Sequence, residues 1–389
     1  MPRTAFCTPT SLHEWLGMPH DMGDSPGRFV KVINEVIRDL KHAAAYLDDG
    51  IVFDSDPIPH VLTIRSLFER LRKRNLKLSP SKTRLGTTDA NLLGQSISAA
   101  GLRPSAEKVS ALVNKPMPTD VKQVGALMGS MNYYRKILSD LSKRFRPINS
   151  LLRKGVKFAF KPAMEKVVRE ILAELATPSI LVFPNWDAVA NGSLPFHVYF
   201  DACIDGFSAA LEQEQAYGSM KPIAYISRAT LDLERHWTPL DLEAGSIVWI
   251  LKRLPGCLWG TKFRIISDHM ALESIDKVGN HNARVQKWLE FLTTFDYTLE
   301  YHKGSANGNA DFLSRLPEPA TENDRSGSTS LNPVEDGGIY FIGACGLNTP
   351  SSSILGVGLG GLVPRTEGAA LGGPLSPPIF AIIAYTGHV

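Results

Sequence analysis

The chain has 389 residues, 43% of them hydrophobic, with 42 Lys and Arg against 39 Asp and Glu for a formal net charge of +3. That length allows two or three domains with proper cores, and the near-balanced charge excludes a uniformly basic surface, so any nucleic-acid face must come from local clustering. Four scattered cysteines (Cys7, Cys203, Cys257, Cys345) form no CxxC pair, which argues against a disulfide framework or a zinc site and fits a reducing compartment.

The start, MPRTAFCTPTSLHEW, lacks the basic-then-apolar pattern of a secretory signal. No apolar run approaches the roughly 20 residues of a membrane span. Both point to an intracellular protein of the cytoplasm or nucleus with no membrane partner. Pro26 to Leu40 carries Phe29, Val32, Ile33, Val36, Ile37 and Leu40 at helical spacing. AAAYLDDGIVF follows, two apolar arms around Asp48, Asp49 and Gly50. Two readings stand: an Asp-Gly hairpin turn and nothing more, or adjacent carboxylates at a hairpin tip that hold metal ions for nucleotidyl transfer. Within residues 60–102 a second amphipathic helix turns Val61, Ile64, Leu67, Phe68 and Leu71 inward. Its outer face, Arg65, Arg70, Arg72 and Lys73, is either solvated or in contact with phosphate. NLLGQSISAAGLRP then predicts a strand pair.

From Arg103 to Pro162 thirteen Lys and Arg stand against three Asp and Glu, enough to neutralise part of a phosphate backbone. Thr119 is positioned to cap the helix DVKQVGALMGSMNYYRKIL, whose Val124, Leu127, Met128, Met131 and Leu138 read as core. Tyr133 and Tyr134 set rings beside Arg135 and Lys136, a combination suited to stacking and phosphate contact, with Lys143 and Arg144 following. A helix around MEKVVREILAELA and a strand SILVFPNW lead on. Three antiparallel strands come next, Val198 to Asp201, Phe207 to Glu214 and Pro222 to Ser227. A helix from Pro239, a strand Phe263 to Ser267, a helix Val285 to Phe295, a strand Tyr297 to His302 and a closing helix NADFLSRL complete an α/β domain. Trp237, Trp249 and Trp288 read as packing residues.

Four acidic residues in this stretch stand where apolar ones are usual. Asp201 ends the run HVYFDA, and Asp268 ends FRII. Glu243 lies at the margin of the apolar face of TPLDLEAGSIVWILKRL, a helix that Thr238 can cap with Pro239 in its first turn. Asp311 sits in the closing helix. Two such charges about 5 Å apart at an effective dielectric of about 20 cost roughly 3 kcal/mol, so the cluster calls for cations. Oxygen donors at this density suit magnesium or manganese, and two such ions can clamp the attacking and leaving oxygens of a phosphodiester displacement. His269, beside Asp268, is read as structural rather than as a proton shuttle.

The succession FDA, SRAT, LDLEAGSIVWILKR, ISDHMAL, NARVQKWLEFL and NADFLSRLP resembles the RNase H domain of gypsy-type LTR retrotransposon reverse transcriptases. Upstream, TAF, EW, MP, SPGRF and YLDD resemble the palm of the same family. The resemblance implies metal-binding catalytic carboxylates at Asp201, Glu243, Asp268 and Asp311, and at Asp48 and Asp49 in the palm. It also implies two magnesium ions at the RNase H site, with manganese as a substitute, and a thumb around Tyr133 to Arg144 that packs on duplex. Two departures stand out. The family's third palm carboxylate belongs upstream of the point matching Thr4, as do the fingers, and His20 and Asp21 replace an aromatic-glycine pair after the MP.

The expected architecture is a multidomain chain of α/β and α+β type. A truncated reverse-transcriptase palm spans 1–102, a basic thumb-like helical region 103–162 and a connection 163–195. An RNase H-like mixed five-stranded sheet with helices spans 196–317. Residues 318–389, rich in Gly, Ser and Pro with no sustained period, are expected to be disordered or weakly structured, and IFAIIAY within them is too short to cross a bilayer. The expected function is that of a Pol polyprotein fragment: endonucleolytic, metal-dependent cleavage of RNA in RNA–DNA hybrids, with polymerase activity lost. Expected partners are a hybrid or template-primer duplex and other polyprotein-derived chains. The alternatives are a non-catalytic nucleic-acid-binding remnant and an inactive transposon relic.

Overall fold

A computed structural model describes residues 5–14, 23–177, 180–215, 218–268, 283–301 and 379–386. Two compact units divide the chain, Met1–Ala99 together with Tyr340–Val389, and Ala100–Ile339. Among the described residues no helix is long and apolar enough to cross a membrane.

In the first unit a helix Ser25–Ile37 buries Phe29, Ile33 and Val36, as its spacing predicts. A hairpin of strands Ala43–Tyr46 and Asp49–Asp54 follows. Asp56 then accepts a hydrogen bond from the Ile58 amide at 2.8 Å and starts the helix Pro57–Lys73. The buried stripe of that helix is His60, Leu67 and Leu71, with Ile64 and Phe68 partly buried. Val61, expected inside, is 63% exposed. One residue past His60 is about 100° around the helix, so the buried stripe leaves Val61 in solvent. Asp89–Leu92 pairs with Gln95–Ser98 as expected, around Leu93 and Gly94, both at positive φ.

Of the expected tail only residues 379–386 lie within the described residues, and these depart from expectation. Ile379–Thr386 is a strand, and it lies inside the first unit's sheet, in the order Ala43–Tyr46, Asp49–Asp54, Ile379–Thr386, Lys77–Leu78. The strand Arg84–Thr87 pairs with it as well. Seven apolar and aromatic residues in succession are what a strand paired on both sides requires, and a membrane-span criterion is blind to that use.

The second unit holds the helix Val121–Tyr133, with Val124, Met128 and Met131 buried. Its cap is Asp120, whose side chain accepts from the Gln123 amide at 2.7 Å, rather than the expected Thr119, whose own amide donates to the Gln123 side chain at 3.0 Å. The helix Pro162–Ala176 buries Met164, Val168, Ile171, Leu172 and Leu175. SILVFPNW does not become a full strand. Leu181 forms an isolated bridge with Leu102, and then Asn185 caps a short helix Trp186–Ala190 by accepting from the Ala188 amide at 3.1 Å. Pro184 cannot donate to a ladder, and the Asn cap turns the backbone helical. Gly101, at φ 131°, lets the bridge close, because a Cβ there would lie 2.2 Å from the Leu181 carbonyl oxygen.

The expected mixed five-stranded sheet runs Met220–Ala229, Gly206–Glu214, Phe196–Cys203, Lys262–Ser267, Asp296–Tyr301. The first three strands are antiparallel, and the last two join in parallel. Phe196, Phe207 and Phe263 are fully buried in its core. The tryptophans pack as expected: Trp237 and Trp288 lie with ring centroids 5.2 Å apart, and Trp249 lies 6.3 Å from Phe207.

Candidate active site

Asp201 lies on the middle strand, Phe196–Cys203, of the five-stranded sheet. Its parallel neighbour pairs Phe196 with Phe263 and Tyr199 with Ile266. Continuing that register two residues brings Asp201 level with Asp268, so two acidic positions leave the same end of adjacent strands. Alternation along the middle strand buries Phe196, Val198 and Phe200 on one face and leaves Asp201 half-buried on the other.

Glu243 arrives from the helix Pro239–Arg253. Thr238 caps it by accepting from the Asp241 amide at 3.2 Å, and Pro239 occupies the first turn, both as the sequence predicts. Arg284 holds the start of this helix through Asp241 at 3.0 Å while its guanidinium lies over the Trp237 ring at 4.5 Å. Two residues beyond Glu243, Gly245 meets those tryptophans: a Cβ there would lie 2.5 Å from Trp237 and 3.2 Å from Trp288. The glycine therefore sets how closely the helix packs. Glu243 itself is 8% exposed. Burial, then Asp201 and Asp268, push its carboxyl up to about 8, with Lys143 opposing. A carboxyl that feels both aspartates shares one neighbourhood with them.

Lys143 completes that neighbourhood. The short helix Leu141–Arg144 docks on the sheet where the Ser142 amide donates to the Ser227 hydroxyl at 3.2 Å. From there the Lys143 Nζ donates to the Asp201 carboxylate. Burial pulls the lysine down, but Asp201, Cys203 and Asp140 outweigh it and its pKa is raised, so it is an ammonium ion. Asp140, buried beside it, is raised chiefly by desolvation. Neither Lys143 as the counter-ion of Asp201 nor Asp140 in this cluster was legible in the sequence. Lys143 and Asp201 are 58 residues apart, and no local pattern joins them.

Asp201, Glu243 and Asp268 are therefore brought to one end of the sheet. Asp311, His269 and the closing helix lie outside the described residues, as do His20 and Asp21. Among the described residues no group of three His, Cys, Asp or Glu side chains is close enough to hold a metal ion. The donor chemistry nonetheless suits a hard divalent cation: all oxygen, with Glu243 buried, Asp201 half-buried and already paired with Lys143, and Asp268 exposed.

The other predicted pair belongs to the first unit. Asp48 is exposed and Asp49 half-buried at the hairpin turn, where Leu47 takes a positive φ of 49°. Burial and then Asp48 raise Asp49, and Lys82 opposes them. The expected open face of rings and cations is largely turned inward. Tyr133 is 51% exposed, but Tyr134, edge-on to it with centroids 5.0 Å apart, is buried. Arg135 donates to the Ser227 carbonyl at 2.6 Å, and the Lys136 carbonyl accepts from the Tyr225 amide at 2.9 Å. Lys136 is pulled down to about 8, mainly by burial. Arg144 pairs with Glu174 at 2.5 Å. The helix ends at Tyr133, and the chain beyond it runs along the strand Met220–Ala229, which takes up Arg135 and the Lys136 carbonyl, while Arg144 is held by Glu174 of the helix Pro162–Ala176.

Residues 2–97 match the family model of reverse transcriptase (RNA-dependent DNA polymerase), and residues 191–295 match that of the RNase H-like domain found in reverse transcriptase. Over 341 residues the sequence is 31% identical to the retrovirus-related Pol polyprotein from transposon 297 of Drosophila melanogaster, a match covering 86% of this chain and 31% of that protein. The Pol polyprotein from transposon opus of the same fly is 30% identical over 351 residues, with 86% and 34% covered. The transposon Tf2-3 polyprotein of Schizosaccharomyces pombe is 27% identical over 337 residues, with 83% and 25% covered. The chain thus spans about a quarter to a third of the length of these relatives. In fold it is similar to the foamy viral protease–reverse transcriptase solved with double-stranded DNA, with a TM-score of 0.66 at 20% identity over 81% of this chain and 54% of the other. The same viral protein solved with an RNA/DNA hybrid gives 0.63 at 21% identity over 84% and 44%.

Proposed function

We propose that this chain, a relative of retrotransposon Pol polyproteins that carries a reverse-transcriptase segment and an RNase H-like domain, cuts the RNA strand of RNA–DNA hybrids endonucleolytically with the help of divalent metal ions. The observation that carries the reading is the convergence of Asp201, Glu243 and Asp268 from a middle strand, a helix and a neighbouring strand onto one end of the sheet. Those three residues would hold the ions, with Asp311 as a proposed fourth ligand. Magnesium, when bound, would act as a Lewis acid on the scissile phosphate and favour ionisation of the attacking water.

The chain's own groups then have defined tasks. Glu243 holds a proton near neutral pH and must release it to serve as a ligand, so metal uptake should strengthen as pH rises. Lys143 neutralises Asp201 and must yield that carboxylate. Backbone geometry and the RNA 2′-OH, not base sequence, would provide selectivity. For the palm-like pair no polymerisation is proposed. The strands on either side of Asp49–Asp54, Ala43–Tyr46 and Ile379–Thr386, carry no acidic residue.

The test is incubation of the purified chain with a labelled RNA–DNA hybrid, with and without magnesium. Metal-dependent cuts confined to the RNA strand are expected, and their absence at every magnesium concentration would sink the reading. The ion pair of Lys143 with Asp201 favours a second reading, a hybrid-binding remnant without activity. That reading predicts binding of the hybrid with no cut in either strand.

A further inference from the structure

The C-terminal strand Ile379–Thr386 sits in the interior of the first unit's sheet, although 77 residues separate it from the end of the strand Asp296–Tyr301. On one side it pairs antiparallel with the strand that follows the carboxylate turn: Ile379 opposite Asp54, Ala381 opposite Val52, Ile383 opposite Gly50 and Ala384 opposite Asp49. On the other side Tyr385 and Thr386 pair with Leu78 and Lys77, and Phe380 and Ile382 with Thr87 and Arg84. The Thr87 hydroxyl also donates to the Phe380 carbonyl at 3.3 Å. Ala381 and Ile383 are fully buried, in one core cluster with Phe29, Ile33, Val36, Val52, Leu67 and Leu71. Without this strand, Asp49–Asp54 on one side and Lys77–Leu78 and Arg84–Thr87 on the other would present unpaired backbone groups to a gap lined by apolar side chains.

Such a gap is a receptor for an extended apolar segment: backbone pairing on both edges supplies affinity, and the alternate buried positions supply register. A connection of 77 residues disfavours docking only weakly, because the entropy of closure grows with the logarithm of loop length. We propose that residues 379–386 are a donated strand, which docks in cis into this receptor and, by pairing Ile383 and Ala384 with Gly50 and Asp49, orders the Asp48–Asp49 turn. The tail then has a definite task, and the receptor's ligand is an apolar β-strand of this chain.

Hydrogen exchange on the full-length chain tests this. Ile383→Asp puts a charge in the receptor's core and should speed exchange of the Gly50 and Val52 amides, which lie opposite Ile383 and Ala381, at least tenfold, leaving the Phe196–Cys203 strand unchanged. A synthetic peptide of residues 377–387, added in excess, should restore the protection. Unchanged exchange in Ile383→Asp would overturn the proposal. So would failure of the peptide to restore protection, since the strand would then be a fixed part of the sheet rather than a donated one. As a check that does not depend on a destabilised variant, Val52→Cys combined with Ala381→Cys should give an intramolecular disulfide under mild oxidation, because directly opposed residues of antiparallel strands lie within disulfide reach. Absence of that bond, or its appearance only between two chains, would refute docking in cis.

Discussion

The Asp48–Asp49 turn and the set of Asp201, Glu243 and Asp268 both gather carboxylates, by opposite means. In the first, adjacency in the chain does the work. The two side chains share a hairpin turn, Asp48 in solvent and Asp49 half-buried, and water screens much of their repulsion. In the second, three separate elements deliver one carboxylate each; burial first, and then the charges of Asp201 and Asp268, push the Glu243 carboxyl up to about 8, and Asp201 holds a lysine. Proximity in sequence marks a place where ions could bind. A buried carboxyl beside two others gains more from a cation than a solvated pair does, and this is why the proposed nuclease reading rests on the second unit.

The largest expected effect comes from removing the centre of that set. Asp201→Asn should lower hybrid cleavage on the order of 10²–10³-fold, measured with a labelled hybrid, while affinity for the hybrid stays within about twofold. If cleavage survives, the comparison collapses, because the buried set would not be the catalytic one.

Next comes the pH dependence of stability in the metal-free protein. Glu243 is raised from 4.5 to about 8 in the fold, so across that window the folded state keeps a proton that the unfolded state releases, and stability falls as pH rises. Glu243→Gln should flatten that decline and raise the melting midpoint at pH 8 by roughly 5 °C. Thermal melts in chelator from pH 5 to 8 measure it, and an equal slope in both proteins would show that burial is not what distinguishes the two sites.

A smaller change is expected from Lys143→Gln, which removes the cation that competes for Asp201. The magnesium concentration for half-maximal cleavage should fall by roughly threefold to tenfold, the range of an ion pair of about 1 kcal/mol. A rise would mean that the lysine assists metal binding instead. Smallest of all is the palm-like pair: Asp48→Asn with Asp49→Asn should leave hybrid cleavage within about twofold, and primer extension by the unaltered chain should be undetectable. Extension that the double variant abolishes would restore the turn to catalytic rank.

Much of this was legible in local pattern. The helical spacing before the YLDDG turn, the Thr238 cap and Pro239 start of the Glu243 helix, and the alternation of the five sheet strands rest on neighbours within a few residues, where backbone preference and burial act directly. Asp201, Glu243 and Asp268 stood out because each interrupts an apolar pattern. Tertiary contact decided the rest. Arg135 and Arg144 read as a basic face, yet Ser227 and Glu174 take them up. Lys143 finds Asp201 across 58 residues, and Ile383 finds Gly50 across most of the chain. A charge in sequence records only that it must be solvated or paired, and an apolar run only that it must be covered. Which partner does so depends on where the folded backbone leaves an unmet carboxylate or an open strand edge.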